Sequence, residues 1–526
     1  MVDFLSQFQQ SKSANVSLQL ANLTVLKCQK VVRVIPNKRV VCQGFWQGKP
    51  IYAKLFFGAD AAKYAARDAA GVKFLLDAKI DVPALLYAGE THDTQLQNLS
   101  TQVLIFEAIE PAFTAEQVWP DLDQNQRLIL AKNLVAEVAK HHNANLLQTD
   151  LYLKNFLVTD KKIYTLDGDG IRKFANLKDD QALQNLAVLW SKFDVLDIEK
   201  WQQYLAETYS ETRAWNKVVE PKKLAAMANQ HRIKVASNYA DKKVFRTCTD
   251  AAVSSTASQL FAISKPLSIT NLPNQAASLD VLIEHGERLK SGNTCTVALA
   301  NIDGQKVVIK RYNIKSFWHG VSRVFRPSRA ADSWANAHRL TILGVATAKP
   351  IALLEQRFFC LRGKAYFLAE HIVAPNARGL NSAPNARELG SAPNARESVS
   401  APDVAQYFAQ TQDKAQRAQA VKNVVTLFYR LYLLQISHGD MKASNIKMVD
   451  NKPVLIDLDS MRQHKTYFTS RVAHLKDLSR FMQNWQNAPA LYNAFVKTFK
   501  VVYPDMLILI KAGIGANRDK SKEISS

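Results

Sequence analysis

Gln435-Ile-Ser-His-Gly-Asp-Met-Lys-Ala-Ser-Asn-Ile-Lys-Met448, followed by Pro453-Val-Leu-Ile-Asp-Leu-Asp-Ser-Met-Arg462, decides the fold. An earlier stretch repeats the layout: Leu146-Leu-Gln-Thr-Asp-Leu-Tyr-Leu-Lys-Asn-Phe-Leu-Val158, then Ile163-Tyr-Thr-Leu-Asp-Gly-Asp-Gly-Ile-Arg172. Asp440 is followed by Asn445, Asp457, Asp459 and Arg462. Asp150 is followed at identical intervals by Asn155, Asp167, Asp169 and Arg172. The same polar positions recur in order among apolar residues, so a duplicated domain is a simpler reading than coincidence.

Each stretch follows a helical pattern. Val421, Val424, Val425, Phe428, Leu431 and Leu434 recur at helix spacing before the second, and Leu128, Leu130, Leu134, Val138 and His142 do so less regularly before the first. After each Asp–Asn segment, short apolar runs predict a β-hairpin, turning at Asp160-Lys161-Lys162 and at Asp450-Asn451-Lys452. The layout is therefore helix, loop, hairpin, and a carboxylate at the strand end.

Phosphoryl transfer from ATP needs such parts at such spacings. A carboxylate must orient the attacking hydroxyl and accept its proton. An amide oxygen and a second carboxylate suit magnesium, a hard cation that prefers oxygen ligands. The protein-kinase arrangement H-R-D-x-x-x-x-N followed by D-F-G supplies these groups. His438-Gly-Asp440-x-x-x-x-Asn445 and then Asp457 match it, with Gly for Arg and Leu-Asp for Phe-Gly. Gln148-Thr-Asp150-x-x-x-x-Asn155 and then Asp167 match it with Gln in the first place, a position normally structural. Asp169 and Asp459 read as turn residues rather than spare metal ligands. His141 and His142, on a predicted helix, read as packing or surface residues.

A kinase also needs an upstream strand lysine for the nucleotide phosphates. Val307-Val-Ile-Lys310 and Ile51-Tyr-Ala-Lys54 each follow a short turn that looks like the hairpin before such a strand. Gly292, within Lys290-Ser-Gly-Asn-Thr-Cys-Thr-Val297, is the candidate phosphate cover in the second copy. The first copy has only Pro36-Asn-Lys-Arg39 there, and neither holds G-x-G-x-x-G. Asp68 is the candidate partner for Lys54. Asp332 or Ser333 occupies the equivalent stretch of the second copy.

The bulk properties bound the reading. The chain has 526 residues, enough for more than one domain, and a formal net charge of +22, which favours anionic partners. No basic and aromatic interleaving points to nucleic acid. The five cysteines include no C-x-x-C pair, which argues against a zinc module or disulfide framework and fits a reducing cytosol. No signal-peptide pattern opens the sequence, and no apolar run approaches the length of a transmembrane helix.

His438-Gly-Asp-Met-Lys-Ala-Ser-Asn445 with Val454-Leu-Ile-Asp-Leu-Asp-Ser-Met-Arg462 resembles the lipopolysaccharide core kinases, the Kdo/heptose (WaaP-like) family of Gram-negative bacteria. Lys310-Arg-Tyr-Asn313 and Pro327 to Leu340 are similar to that family's upstream segment. The first copy resembles a more distant branch through residues 148–157 and 165–171. The resemblance implies an ATP-dependent kinase acting on a sugar hydroxyl of the lipopolysaccharide core glycolipid at the cytoplasmic face of the inner membrane. It implies Asp150 and Asp440 as catalytic bases, Lys54 and Lys310 on phosphates, and Asn155, Asp167, Asn445 and Asp457 on Mg2+. A basic, cytoplasmic protein in peripheral contact with an anionic leaflet fits, each Lys or Arg near such a surface adding about 1 kcal/mol.

The expected fold class is α+β: two tandem protein-kinase-like domains, each with a small β-rich lobe and a larger helical lobe. The first spans 15–245 and the second 276–510. Between them, 246–275 reads as a linker rich in Ser, Thr and Ala. Ala374-Pro-Asn-Ala-Arg378 recurs at 383–387 and 392–396, so 374–402 reads as a flexible insertion, and 511–526 as a basic tail. Two other readings share these residues. One is a Ser/Thr or Tyr protein kinase, disfavoured because no Ala-Pro-Glu segment follows Asp457. The other is a tandem in which the first copy is a non-catalytic scaffold.

Overall fold

A computed structural model describes residues 13–503 except 37, 92–100, 216, 218, 266–268, 270, 293, 314–326, 359–360 and 375–399. The tail 511–526, Cys360 and most of the expected insertion 374–402 lie outside the described residues. The chain divides into two compact units, Met1–His231 and Arg232–Ser526. Both are mixed α/β, with a curled antiparallel sheet preceding helices.

In the first unit, alternating apolar residues build a six-stranded antiparallel sheet. Its order is Ser13–Gln19, Val25–Ile35, Arg39–Trp46, Lys49–Phe57, Thr101–Glu107, Leu85–Glu90. Val40, Cys42 and Trp46 alternate inward to meet Leu26, Ile51, Ala53 and Val103, as a half-buried strand requires. The sheet also brings Cys28 and Cys42 together in this core as free thiols, Sγ to Sγ 2.8 Å, a proximity that their spacing in sequence did not announce. The strand carrying Lys54 follows a two-residue turn, Gln47-Gly48, with both φ positive (49° and 75°). That turn geometry matches the twist of the paired strands.

The helix Ala61–Asp77 lies on the sheet through Ala61, Ala65 and Val72. The helices Gln124–Asn143, Asp179–Trp190 and Val195–Thr212 enclose a second core around Leu134, Val138, Trp190, Trp201 and Tyr209. His141 and His142 belong to the packing, as their helical position suggests. His141 meets Thr165 Oγ1 at 3.0 Å, and His142 meets Tyr209 Oη at 2.9 Å and Asn185 Oδ1 at 3.1 Å. Burial pushes their pKa values down to about 3 and about 4, so both stay neutral.

The second unit holds a seven-stranded antiparallel sheet. Its order is Ala251–Ser255, Gln259–Ser264, Pro350–Phe358, Leu361–Glu370, Gln305–Tyr312, Cys295–Ile302, Glu287–Gly292. The expected linker 246–275 is thereby corrected: it supplies two strands of this sheet, with Leu260 and Ala262 buried. Its Ser, Thr and Ala content hid an edge hairpin whose stability comes from pairing with the distant strand Pro350–Phe358. The division between units also falls earlier, after His231 rather than at 245.

The helix Arg329–Ile342 packs on this sheet through Ala330, Ala331 and Trp334, the indole donating to Val244 O at 3.1 Å. The helices Lys414–Leu433, Tyr467–Gln483 and Pro489–Val502 meet in an aromatic cluster. In it Phe481 lies 5.0 Å from Phe428 and 5.1 Å from Phe495, centroid to centroid. Phe481 is fully buried. Phe481→Ala should therefore cost about 3–5 kcal/mol, the usual range for removing a buried aromatic ring. Chemical denaturation of the full chain would measure this; a loss under about 1 kcal/mol would contradict the packing described.

Candidate active site

The Asp–Asn loops are built by local hydrogen bonds that recur in both units. Asn445 Nδ2 donates to Asp440 O at 2.8 Å, and Asn155 Nδ2 to Asp150 O at 2.7 Å. The hairpins that follow pair Ile446–Val449 with Lys452–Leu455 and Phe156–Val158 with Ile163–Thr165. Ile456 N donates to Asn445 O and Leu166 N to Asn155 O, returning the chain beside the loop. Asp457 and Asp167 then adopt left-handed backbone, φ 62° and 66°. That conformation is uncommon for non-glycine residues and recurs at functional sites. His438 Nε2 meets Ile456 O at 2.9 Å, and Gln148 Nε2 donates to Leu166 O at 3.1 Å. The glutamine thus makes the tie that the histidine makes, joining the loop to the residue before the second aspartate.

Lys310, on the strand Gln305–Tyr312, reaches across to this aspartate. Its ammonium is ion-paired with Asp457 and lies 2.8 Å from Asp459 Oδ2, which Arg329 also contacts at 2.8 Å. Burial alone would lower the Lys310 pKa. Tyr312 and the two carboxylates outweigh it and hold the ammonium charged. Burial likewise opposes Asp459 ionisation, yet Lys310 and Arg329 hold that carboxyl below its usual range. Asp459 sits in the turn Leu458–Ser460, as expected of a turn residue, but its side chain is 4% exposed and serves as a charge partner.

The helix facing Lys310 offers no acid to it. Ser333 Oγ instead bonds the Tyr312 hydroxyl at 2.9 Å. Asp332 keeps away from the lysine, and burial, then repulsion from Asp459, pushes its pKa up to about 6.

The first unit distributes charge differently. Lys54 Nζ lies 2.6 Å from Asp68 Oδ2 and 3.3 Å from Asp167 Oδ1. Asp68 is thus the lysine's partner. It is fully buried, and burial pushes its pKa up despite Lys54. Arg39 adds a second cation, 3.6 Å from Asp167 Oδ1 and 3.9 Å from Asp68 Oδ2. Burial works against Asp167 ionisation, but Lys54 and Arg39 together bring its pKa down. Asp169 pairs with Arg67 on the helix. That helix touches the aspartate turn through glycine: a Cβ on Gly71 would stand 1.9 Å from Gly168 O. In the second unit Asn336 takes this place and donates to Leu458 O at 2.9 Å and Met461 O at 3.0 Å.

In the second unit a cleft of about 540 Å³ opens between these groups. Leu289, Val297, Val308 and Ile456 give it apolar walls, while Lys310, Asn445 and Asp457 line one end. Apolar walls with a few converging polar groups suit a heterocycle carrying phosphates. Asn445 spends its amide nitrogen on Asp440 O, which leaves oxygen atoms from Asn445 and Asp457 at that end, the donor set a magnesium ion takes. No group of three or more His, Cys, Asp or Glu able to hold a metal occurs among the described residues. Gly292 ends the strand Glu287–Gly292 and pairs with Cys295; it is exposed and a Cβ there would meet only ordinary contacts. Lys290 and Thr294, not Gly292, reach the cleft.

Asp440 is gripped from sources that its own motif does not reveal. Lys442 Nζ lies 3.1 Å from Oδ2, and Arg480 Nη2 lies 2.6 Å from Oδ1. The Arg480 contact is an ion pair rather than an aligned hydrogen bond, since Oδ1 has no hydrogen-bond donor. The backbone N–H groups of His438 and Gly439 donate to Asp477 Oδ2 at 2.6 Å and Oδ1 at 3.0 Å, fixing the loop to the helix Tyr467–Gln483. Gly439 has φ 78°, and a Cβ there would stand 2.6 Å from Ser460 O, which explains glycine where the kinase pattern has arginine. Asp150 is exposed and has no ion pair among the described residues, and Tyr152 stands where the second unit has Lys442. Lys442 was legible from its place two residues after Asp440. Asp477 and Arg480 lie too far along the chain to be read.

Residues 397–500 match the lipopolysaccharide kinase (Kdo/WaaP) family. Over those residues the chain is similar to that family of kinases. They hold the Asp440–Asn445 loop, the Asp457–Asp459 turn and the helix with Asp477 and Arg480. No curated protein matches the chain. Among solved structures it is similar to WaaP in complex with acyl carrier protein, with 15% identity and a TM-score of 0.31, covering 40% of this chain and 89% of that one. No described helix is long and apolar enough to cross a membrane.

The Asp332 environment has a measurable consequence. A carboxyl whose pKa rises from 3.8 to about 6 on folding stabilises the fold fully below pH 3.8 and loses that contribution as pH climbs through about 6. Asp332→Asn should therefore match the parent near pH 4 and unfold at higher temperature than the parent near pH 8. Thermal melts at the two pH values test this; equal melting at pH 8 would contradict the burial and charge described.

Proposed function

We propose that the second unit transfers the γ-phosphate of ATP to a hydroxyl of a lipopolysaccharide inner-core sugar, at the cytoplasmic face of the inner membrane of a Gram-negative bacterium. The convergence of Lys310, Asn445 and Asp457 at one end of an apolar cleft, beside the Asp440 loop, carries this reading. Asp440 orients the acceptor hydroxyl and takes its proton. Lys310 holds nucleotide phosphate. Asn445 and Asp457 hold Mg2+, which neutralises charge on the phosphates when bound. Lys442, two residues beyond the base, is placed to meet the transferring phosphoryl group. Lys290 and Thr294, on either side of the strand end at Gly292, cover the phosphates. The acceptor is a glycolipid, and the net charge of +22 supports peripheral contact with an anionic leaflet.

In the same reading the two units are tandem protein-kinase-like domains, supported by the shared ties at Asn155 and Asn445 and at Gln148 and His438. Asp150, Lys54, Asn155 and Asp167 hold the corresponding places in the first. For that unit a non-transferring role has its own support. Arg39 neutralises Asp167 where a cation would sit, and Tyr152 replaces Lys442.

Asp440→Ala should lower phosphate transfer to purified lipopolysaccharide by about 100-fold or more, the scale of losing a general base. Mass spectrometry of core oligosaccharide from a deletion strain should show one phosphate fewer, and an unchanged phosphate count would refute the sugar-kinase reading. Asp150→Ala in the full chain separates the two roles of the first unit. A comparable loss means it transfers phosphate, and full retention means it does not.

A further inference from the structure

Beside Asp440 a second cavity of about 510 Å³ opens against the helix Tyr467–Gln483. Lys476, Ser479, Arg480 and Gln483 line it, and their spacing places them on one face of that helix. Ser437 and Gly439 close it from the loop side. Of its acidic neighbours, Asp477 has both oxygens engaged by the backbone N–H groups of His438 and Gly439. The cavity therefore presents two cations and several neutral donors with one carboxylate already occupied.

Arg480 is the telling residue. It is ion-paired to Asp440 Oδ1, yet 45% exposed, and Lys442 already supplies Asp440 with a cation on its other oxygen. A guanidinium with spare donors, half in water and at the mouth of a basic cavity, is suited to a second oxyanion.

We propose that this cavity binds an anionic substituent, a phosphate or a carboxylate, on the sugar acceptor, and that Arg480 passes from Asp440 to that anion as the acceptor seats. The inference rests on the sugar-kinase reading of the second unit and adds what that reading lacks, a recognition site for the acceptor. The transfer frees Asp440 Oδ1 for the acceptor hydroxyl. The hydroxyl oxygen then forms its bond to the γ-phosphorus as the bond to the β–γ bridging oxygen breaks. The proton passes to Asp440 and ADP departs. With no anion in the cavity, Arg480 keeps the base occupied, which disfavours transfer to water.

The test is steady-state kinetics of the full chain with three lipopolysaccharide acceptors: native, dephosphorylated and carboxyl-reduced. In the parent, one of the stripped acceptors should show a KM at least about tenfold higher, the scale of losing one charge-assisted hydrogen bond. Which one does so identifies the anion. Arg480→Gln and Lys476→Gln should each raise the native-acceptor KM about tenfold and shift the ATP KM less than about twofold, and should erase the difference between native and stripped acceptor. Lys476 is exposed on the helix, so its variant remains informative if Arg480→Gln fails to fold. Unchanged native-acceptor KM in the variants, or equal KM for all three acceptors in the parent, would overturn the inference and leave the sugar-kinase reading intact. If no lipopolysaccharide is phosphorylated, that reading falls. The cavity is then judged by titrating inorganic phosphate with the nucleotide cleft filled by ADP, where binding equal in parent and Arg480→Gln overturns it and binding lost in the variant sustains it.

Discussion

The ammonium of Lys310, held between Asp457 and Asp459, is the contact on which the second unit's site depends. It joins the strand Gln305–Tyr312 to a turn far along the chain, and so joins the sheet to the segment that carries the Asp440 loop. Partly buried charges of this kind are costly to strand. Removing one partner of a buried pair commonly costs about 3–5 kcal/mol because the other is left unpaired. The left-handed backbone at Asp457 is sustained from the other side, by Ile456 N on Asn445 O and by His438 on Ile456 O.

Around the Asp–Asn loops the two units share local backbone ties and differ in how the charges are placed. The loop ties, hairpins and left-handed aspartates correspond closely. The lysine's acid does not: it comes from the helix in the first unit, as Asp68, and from the turn in the second, as Asp459. Ser333 in the second helix is tolerable because Asp459 has turned to the lysine, and Asp169 in the first turn is free to meet Arg67 because Asp68 serves Lys54. Each unit satisfies the same requirement for a compensated buried ammonium with a different side chain.

This explains what was legible in the sequence. Interactions within about twenty residues leave a spacing that can be read, as at Asp440, Asn445 and Asp457, and their turn chemistry also showed, in Asp450-Asn451 and in the short turn before the Lys310 strand. Lys54 and Lys310 were found through the strand patterns around them. Asp459 was read only as a turn residue, and Arg39, Asp477 and Arg480 were given no role, because these roles exist only through partners brought together by folding. The strands at 251–264 were missed for the same reason: short, small-residue segments owe their conformation to the neighbour they pair with.

The glycine contact between the helix Ala61–Asp77 and the turn at Gly168 has a consequence for engineering. Gly71 lets two backbones touch, whereas Asn336 holds its helix off the corresponding turn by a side chain's width and pins it with two hydrogen bonds. The spacing between helix and turn is therefore a different length in each half of the chain. The halves share local ties at their loops, but their parts are not spares for one another. A chimera that moved the helix from one half into the other would bring either a clash at the Gly168 carbonyl or an empty gap over Leu458.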